Sequence, residues 1–179
     1  LIKEVYKTFG FTNYVVNLST RPEKAMGDAQ LWEKAEKALE NALKKAKMPY
    51  QIKEGEGAFY GPKIDFDVKD ALGRPWQLST IQLDFQMPER FELTYEGADS
   101  KRHPPVMIHR AIIGTFELFL GVYIEHTAGK FPLWLSPVQV VVMTMNDACL
   151  PFARDVLRQM KERGIRVELD DRHETIQKK

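Results

Sequence analysis

Three short stretches gather residue types able to do chemistry. Tyr60-Gly61-Pro62-Lys63 sets a phenol and an ammonium on either side of a glycine–proline pair. Gln77, Thr80 and Gln82 lie along one strand-like run, and His109-Arg110 follows the apolar run Val106 to Ile108, with Gly114 close behind. A phenol, an ammonium, two amides, a hydroxyl and an imidazole can together grip a small polar substrate and a nucleotide. Glutamines and threonines inside strands need partners when buried, so the same set could also be a satisfied polar layer between sheet and helix. A strand that enters a helix through a glycine brings backbone N–H groups and polar side chains to one point, a common seat for phosphate. The plainer reading of that junction is a buried strand and helix with Gly114 as a packing glycine.

The elements that must position these residues are legible from periodicity. Val106 to Ile108 is fit for a buried, central strand, and Ile112, Phe116, Phe119, Leu120 and Tyr123 recur at helical spacing behind it. Upstream, Leu1 to Thr8 reads as a short helix with Gly10 suited to its C-cap. Tyr14 to Leu18 is a strand, and Ser19 to Gly27 a loop. A helix follows from Asp28, a fair N-cap, to about Lys47, with Trp32, Ala35, Leu39, Leu43 and Ala46 on one face. Pro49 breaks it, and Tyr50 to Lys53 starts a strand. Glu54 to Pro62 is glycine-punctuated. Lys63 to Lys69 alternates, with Ile64, Phe66 and Val68 facing one way. Trp76 to Phe85 alternates again, with Leu78, Thr80, Gln82 and Asp84 on one face and Gln77, Ser79, Ile81 and Leu83 on the other. The short turn Ala71 to Arg74 between these two runs predicts an antiparallel hairpin. Phe91 to Tyr95 is a further strand candidate, and Ala98 to His103 a charged loop.

Residues 1–129 therefore read as α+β on an antiparallel sheet. Residues 130–137, with two prolines and no periodicity, read as a linker. Val138 to Met145 is an apolar run broken only by Gln139 and Thr144, as in a strand covered on both faces. Asn146 to Arg163 follows as a helix and Ile165, Val167 and Leu169 as a second strand, a βαβ unit over 138–179. Two strands and one helix cannot cover both faces of a sheet, so this unit looks truncated.

Composition narrows the class without naming a function. The chain has 179 residues, 44% hydrophobic and 28% charged, and 26 Lys and Arg against 25 Asp and Glu leave a net charge of +1. Nucleic-acid contact must then come from local patches and not from a global basic field. The single cysteine, Cys149, supports no disulfide framework and fits a reducing compartment. No apolar run reaches the roughly 20 residues that span a bilayer, and no signal peptide is seen. The chain does not begin with Met and opens mid-pattern, so both ends read as cuts.

The run GEGAFYGPKIDFDVKDALGRPWQLSTIQLDFQMPERFELTYEG, followed by PVMIHRAIIG, closely resembles the threonyl-tRNA synthetase family of class II aminoacyl-tRNA synthetases. LSTRPEK and FPLWLSPVQV extend the resemblance over effectively the whole chain. It implies the C-terminal part of the class II catalytic domain, an antiparallel sheet with helices, followed by the start of an α/β anticodon-binding domain. It implies ATP-dependent activation of threonine and its transfer to tRNA(Thr), in a cytoplasmic homodimer that uses magnesium and zinc. Carried across position by position, His109 resembles the last of three zinc ligands, the other two belonging to a segment that precedes Leu1. Zinc that must be ligated by a hydroxyl would reject valine, which an apolar pocket of that shape could not. By the same resemblance Tyr60 and Lys63 are substrate-side positions, and Gln82 lies near the terminal ribose of tRNA. Gln77, Thr80 and Gly114 lie on the ATP side. His103, His126 and His173 match no site position.

Two departures stand out. Leu118 stands where the family carries the arginine that lies over adenine, and Leu78 where it often carries cysteine. Leu118 favours an alternative, a non-catalytic synthetase-like module that binds tRNA or regulates. The intact Tyr60–Lys63 and Gln77–Gln82 segments favour the ligase. The 179-residue chain by itself is expected to be inactive, since the segments bearing the other zinc ligands and the α-phosphate arginine precede it.

Overall fold

The computed structural model describes all residues from Leu1 to Lys179 and divides into two units, Leu1–Ala128 and Gly129–Lys179. In the first, α1 (Ile2–Phe9) is closed by Gly10 in the left-handed conformation, φ 77°. Strand β1 (Tyr14–Ser19) leads to α2 (Ala29–Lys45) and back to β2 (Gln51–Lys53). Then come the hairpin β3 (Lys63–Lys69) and β4 (Pro75–Asp84), a short helix α3 (Gln86–Arg90), the two-residue strands β5 (Tyr95–Glu96) and β6 (Arg102–His103), β7 (Met107–Ala111), and α4 (Phe116–Thr127).

The main sheet runs β2-β1-β3-β4-β7. It is antiparallel from β1 to β7, but β2 is parallel to β1 through α2, so the sheet is mixed and not antiparallel throughout. A helix between two strands returns the chain to the same end of the sheet, which makes the second strand parallel.

Register sorts the side chains into two faces. Ile64, Phe66 and Val68 lie on one, with Val16 and Leu18 of the paired strand, and all five are buried. Tyr6 of α1 meets Phe66 edge-on at 6.2 Å, and its hydroxyl bonds Ser79 Oγ at 2.6 Å. Phe9 and Phe11 pack against Phe119 and Tyr123 of α4. The buried face of α2 is Trp32, Ala35, Leu39 and Leu43. This apolar face is the core. The opposite face carries Asn17, Ser19, Lys63, Asp65, Asp67, Thr80, Gln82 and His109.

Several expectations are corrected. Strict alternation in β4 fails: a bulge opposite Phe66/Asp67 leaves Leu78 as the extra residue, since Phe66 pairs with Ser79 and Asp67 with Gln77. Leu78 and Ser79 are therefore both buried in succession, and Gln77 moves to the face of Thr80. The strand β7 is neither central nor buried. It is the edge of the sheet, and Ile108 is 63% exposed. The helix behind it starts only at Phe116, so Ile112 lies outside it. The inward residues are Phe119, Val122 and Tyr123, while Phe116 and Leu120 are exposed. Of Phe91 to Tyr95 only Tyr95 lies in a strand, as the first residue of β5, and residues 91–94 are turn and irregular chain behind α3. Asp84 accepts from the backbone N–H groups of Gln86 and Met87, which starts α3 just ahead of that stretch. The end of the charged loop, Arg102–His103, pairs with Tyr95–Glu96.

In the second unit β8 (Val140–Met143) pairs in parallel with β9 (Val167–Asp170) through α5 (Leu150–Glu162), which is preceded by one 3-10 turn, Asp147–Cys149. Ala153 and Val167 are its buried apolar residues. One helix covers one face only, so Val141 and Met143 are exposed, and β8 is not covered on both sides as its composition suggested. Cys149 is exposed.

Candidate active site

The polar face of the first unit brings most of the sequence-selected residues together. Its hub is a residue that the sequence reading passed over. Asp65, 3% exposed, stands mid-strand in β3. Its Oδ2 pairs with Lys63 Nζ at 2.8 Å and accepts from Ser19 Oγ at 3.0 Å. Its Oδ1 accepts from Gln77 Nε2 at 2.7 Å and from Thr80 Oγ1 at 3.0 Å. Gln77 Nε2 also donates to Thr80 Oγ1 at 2.8 Å, a contact made possible by the bulge. A buried carboxylate is tolerated only when paired and hydrogen-bonded, and here four donors meet it. The signal in sequence was the Lys63-Ile64-Asp65 spacing, which puts ammonium and carboxylate on one strand face.

A second cluster adjoins it across β4. Tyr60 Oη donates to Gln82 Oε1 at 2.5 Å. Gln82 sits opposite both Lys63 and His109 in register. The Tyr60 ring meets the His109 ring edge-on at 6.1 Å. Burial, and then the charge of Asp84, push the Tyr60 phenol above its ordinary value, so it stays a donor at neutral pH. His109 Nε2 bonds Asp84 Oδ2 at 2.8 Å. Burial pushes the Asp84 carboxyl up, but the Met87 and Gln86 N–H groups and the His109 bond outweigh it and hold the carboxyl below its usual range. Since an ionised carboxylate only accepts, Nε2 carries the proton and Nδ1 is the imidazole nitrogen left for a ligand.

Two cavities meet at His109. One, about 310 Å³, is mostly apolar and is lined by Met26, Phe59, Tyr60, Met87 and Arg90 among others. The other, about 390 Å³, opens on Thr80, Gln82, Arg110 and Ala111. Gly61 is required where it stands: a Cβ there would lie 1.7 Å from the Leu83 carbonyl oxygen.

Three selected residues stand apart from this constellation. Arg110 pairs with Ile81, so it belongs to the opposite sheet face, although it borders the edge cavity. Gly114, at φ 63°, sits under Leu78, where a Cβ would come 3.2 Å from its carbonyl oxygen. Leu118 is in the first turn of α4 and lines a groove of about 240 Å³ with Trp76, Glu117, Gly121, Val122 and Glu125. No group of three His, Cys, Asp or Glu side chains could hold a metal ion. His109 is a single donor, so the residues of this chain do not by themselves fit a zinc ion, which takes three or four protein ligands.

The first unit thus has a mixed sheet with an apolar, helix-packed face and a polar face on the other side. The family model for the tRNA synthetase class II core domain (G, H, P, S and T) matches residues 1–127, and that for the anticodon binding domain matches residues 139–179. The chain belongs to the class II tRNA synthetases. Within that class it is similar to threonine–tRNA ligases. The protein of that name from Fusobacterium nucleatum is 56% identical over 177 residues, 98% of this chain and 28% of its own length. That from Clostridium tetani is 58% identical over 176 residues, 98% of this chain and 27% of its own length. Among solved structures, the RNA binding domain of threonyl-tRNA synthetase from Cryptosporidium parvum superposes with a TM-score of 0.94 at 42% identity, covering 99% of this chain and 44% of that one. The chain thus spans a little over a quarter of the length of these curated relatives.

Proposed function

We propose that this chain is part of a threonine–tRNA ligase, in which residues 1–129 supply the substrate-facing floor and residues 138–179 the start of the anticodon-reading domain. The observation that carries the reading is the polar sheet face, on which Tyr60, Lys63, Gln77, Thr80, Gln82 and His109 converge. Lys63 has ammonium protons beyond the one that meets Asp65, and its side chain is 17% exposed. It suits an anionic group such as a phosphate or the carboxylate of threonine. Gln77 and Thr80 suit the nucleotide. Gln82, held by Tyr60 through its carbonyl oxygen, keeps its amide N–H groups as donors and suits a hydroxyl at the tRNA end.

ATP with magnesium is the expected energy source. Zinc is expected only where ligands from elsewhere in the protein join His109, through Nδ1. Threonine and tRNA(Thr) are the expected partners, with a homodimer as the working form and the cytoplasm as its place. No helix is long and apolar enough to cross a membrane. A non-catalytic, tRNA-binding relative is the second reading, and Leu118 is the observation that favours it.

The test is ATP–pyrophosphate exchange by the full-length protein that carries this stretch, with threonine, serine and valine as alternative substrates. Exchange that depends on threonine and excludes valine supports the ligase. Absence of exchange with all three, alongside retained tRNA binding, supports the second reading.

A further inference from the structure

We propose that Asp65 is a positioning residue that fixes the hydrogen-bonding polarity of Gln77 and Thr80. With it in place, this part of the sheet face offers acceptors only and selects a ligand that brings hydroxyl donors, the sugar of a ribonucleotide. The inference rests on the reading of this face as a nucleotide floor and adds how the floor recognises its ligand.

The protons and lone pairs of this cluster are all accounted for. A carboxylate has about four acceptor sites and no donor. Those of Asp65 meet Lys63, Ser19, Gln77 and Thr80 at 2.8, 3.0, 2.7 and 3.0 Å. It is saturated, so it has no remaining acceptor for a ligand and acts only through its neighbours. Facing a carboxylate, the Gln77 amide must turn its NH2 inward. One of its protons goes to Asp65 and the other to Thr80 Oγ1 at 2.8 Å. The single Thr80 proton goes to Asp65. What faces outward is the Gln77 carbonyl oxygen and one lone pair on Thr80, and no donor.

Gln77 is exposed and its amide would be free to rotate without this anchor. The bulge at Leu78 is what places it beside Thr80. An asparagine at 65 could donate to the Gln77 carbonyl and let the amide turn its NH2 outward, reversing the polarity. A site built to accept from a hydroxyl rejects the analogue that lacks it, because its own polar group is left unpaired.

The experiment is threonine-dependent ATP–pyrophosphate exchange by the full-length protein carrying this stretch, with ATP, 2′-deoxy-ATP and 3′-deoxy-ATP. The wild type is expected to prefer ATP over at least one deoxy analogue by ten-fold or more in kcat/KM. In Asp65→Asn that preference is expected to fall to within about three-fold. The loss should lie in the KM for ATP, with the KM for threonine moved less than two-fold. Should Asp65→Asn not fold, Asp65→Ser and Asp65→Glu carry the test: serine can donate to the Gln77 carbonyl and is expected to lose the preference, while glutamate, an acceptor only, keeps it. A merely structural Asp65 would slow all nucleotides alike and leave the preference intact in Asp65→Asn and in Asp65→Ser, which overturns the inference. A wild type that exchanges but does not discriminate overturns it alone. A wild type without any exchange overturns the ligase reading, and this inference with it.

Discussion

Leu118 is the residue at which chemistry and scaffold compete most openly. Its backbone N–H is held by the Thr115 hydroxyl at 3.2 Å, which caps α4, and its side chain lines the groove beside Trp76. A leucine can still pack on a flat base, but it gives up the cation–π contact of an arginine, about 0.5–2 kcal/mol. In the full-length protein, Leu118→Arg is expected to lower the KM for ATP by about five- to thirty-fold, equivalent to 1–2 kcal/mol. An unchanged KM would mean that Leu118 serves the helix and never meets the nucleotide. Tyr60 gives a second expectation. Tyr60→Phe leaves the Gln82 carbonyl without its donor, a loss of about 1 kcal/mol or more. Transfer to tRNA is expected to slow by about ten-fold, with pyrophosphate exchange moved less. Single-turnover transfer against steady-state exchange separates the two. How far such residues were legible differs from case to case. Tyr60, Lys63 and Gln82 could be chosen by type and by resemblance. Type alone could not pick out Asp65 and Asp84, because an acid in an alternating strand reads as solvated until its neighbours close over it, and for Asp65 only the spacing from Lys63 hinted otherwise. Both are buried, at 3% and 1%.

At the level of elements, the β3–β4 hairpin is the part that most directly sets the site. Its turn is tied by Asp70, which accepts from Arg74 Nε at 2.6 Å, Trp76 Nε1 at 2.9 Å and the Leu72 and Arg74 N–H groups at 2.9 Å. Burial pushes the Asp70 carboxyl up, but these four donors together bring it down to about 2. A carboxyl lower in the folded than in the unfolded chain contributes stability above its unfolded value, near 4. That contribution is lost as pH falls through about 2. Urea unfolding of the wild type and Asp70→Asn from pH 6 to pH 2 is expected to show a gap that closes at the acid end; a gap that widens there would contradict the assignment. Gly61 governs the same region. With no room for a Cβ against Leu83, Gly61→Ala is expected to cost about 3 kcal/mol and to shift Tyr60, read as a lowered urea midpoint. The hairpin, α1, α2 and the second-unit βαβ pattern were visible as periodicity. The bulge at Leu78 was not, because alternation cannot show where a strand holds one residue more than its partner. The exposure of β7 was not visible either, because an apolar run says that a strand wants cover and not whether its sheet provides it.

For the whole chain, the two units carry different parts of the proposed work, and together they span a little over a quarter of the length of the threonine–tRNA ligases they resemble. No group of three His, Cys, Asp or Glu side chains in this chain could hold a metal ion, so metal analysis of the dialysed 179-residue chain is expected to find well under one zinc per chain. Stoichiometric zinc that disappears in His109→Ala would reveal ligands that the geometry does not. The same chain is expected to show no threonine-dependent exchange above a blank, since a charged clamp on the reacting phosphate is usually among the largest catalytic contributions. The central claim is that the polar sheet face is the substrate floor of a threonine–tRNA ligase. It is tested most directly by threonine-dependent ATP–pyrophosphate exchange in the full-length protein, comparing Lys63→Ala on that face with Lys37→Ala on exposed α2. Lys63→Ala is expected to lower kcat/KM by about a hundred-fold or more with Lys37→Ala within two-fold of wild type, whereas equal activity in all three proteins would contradict the account.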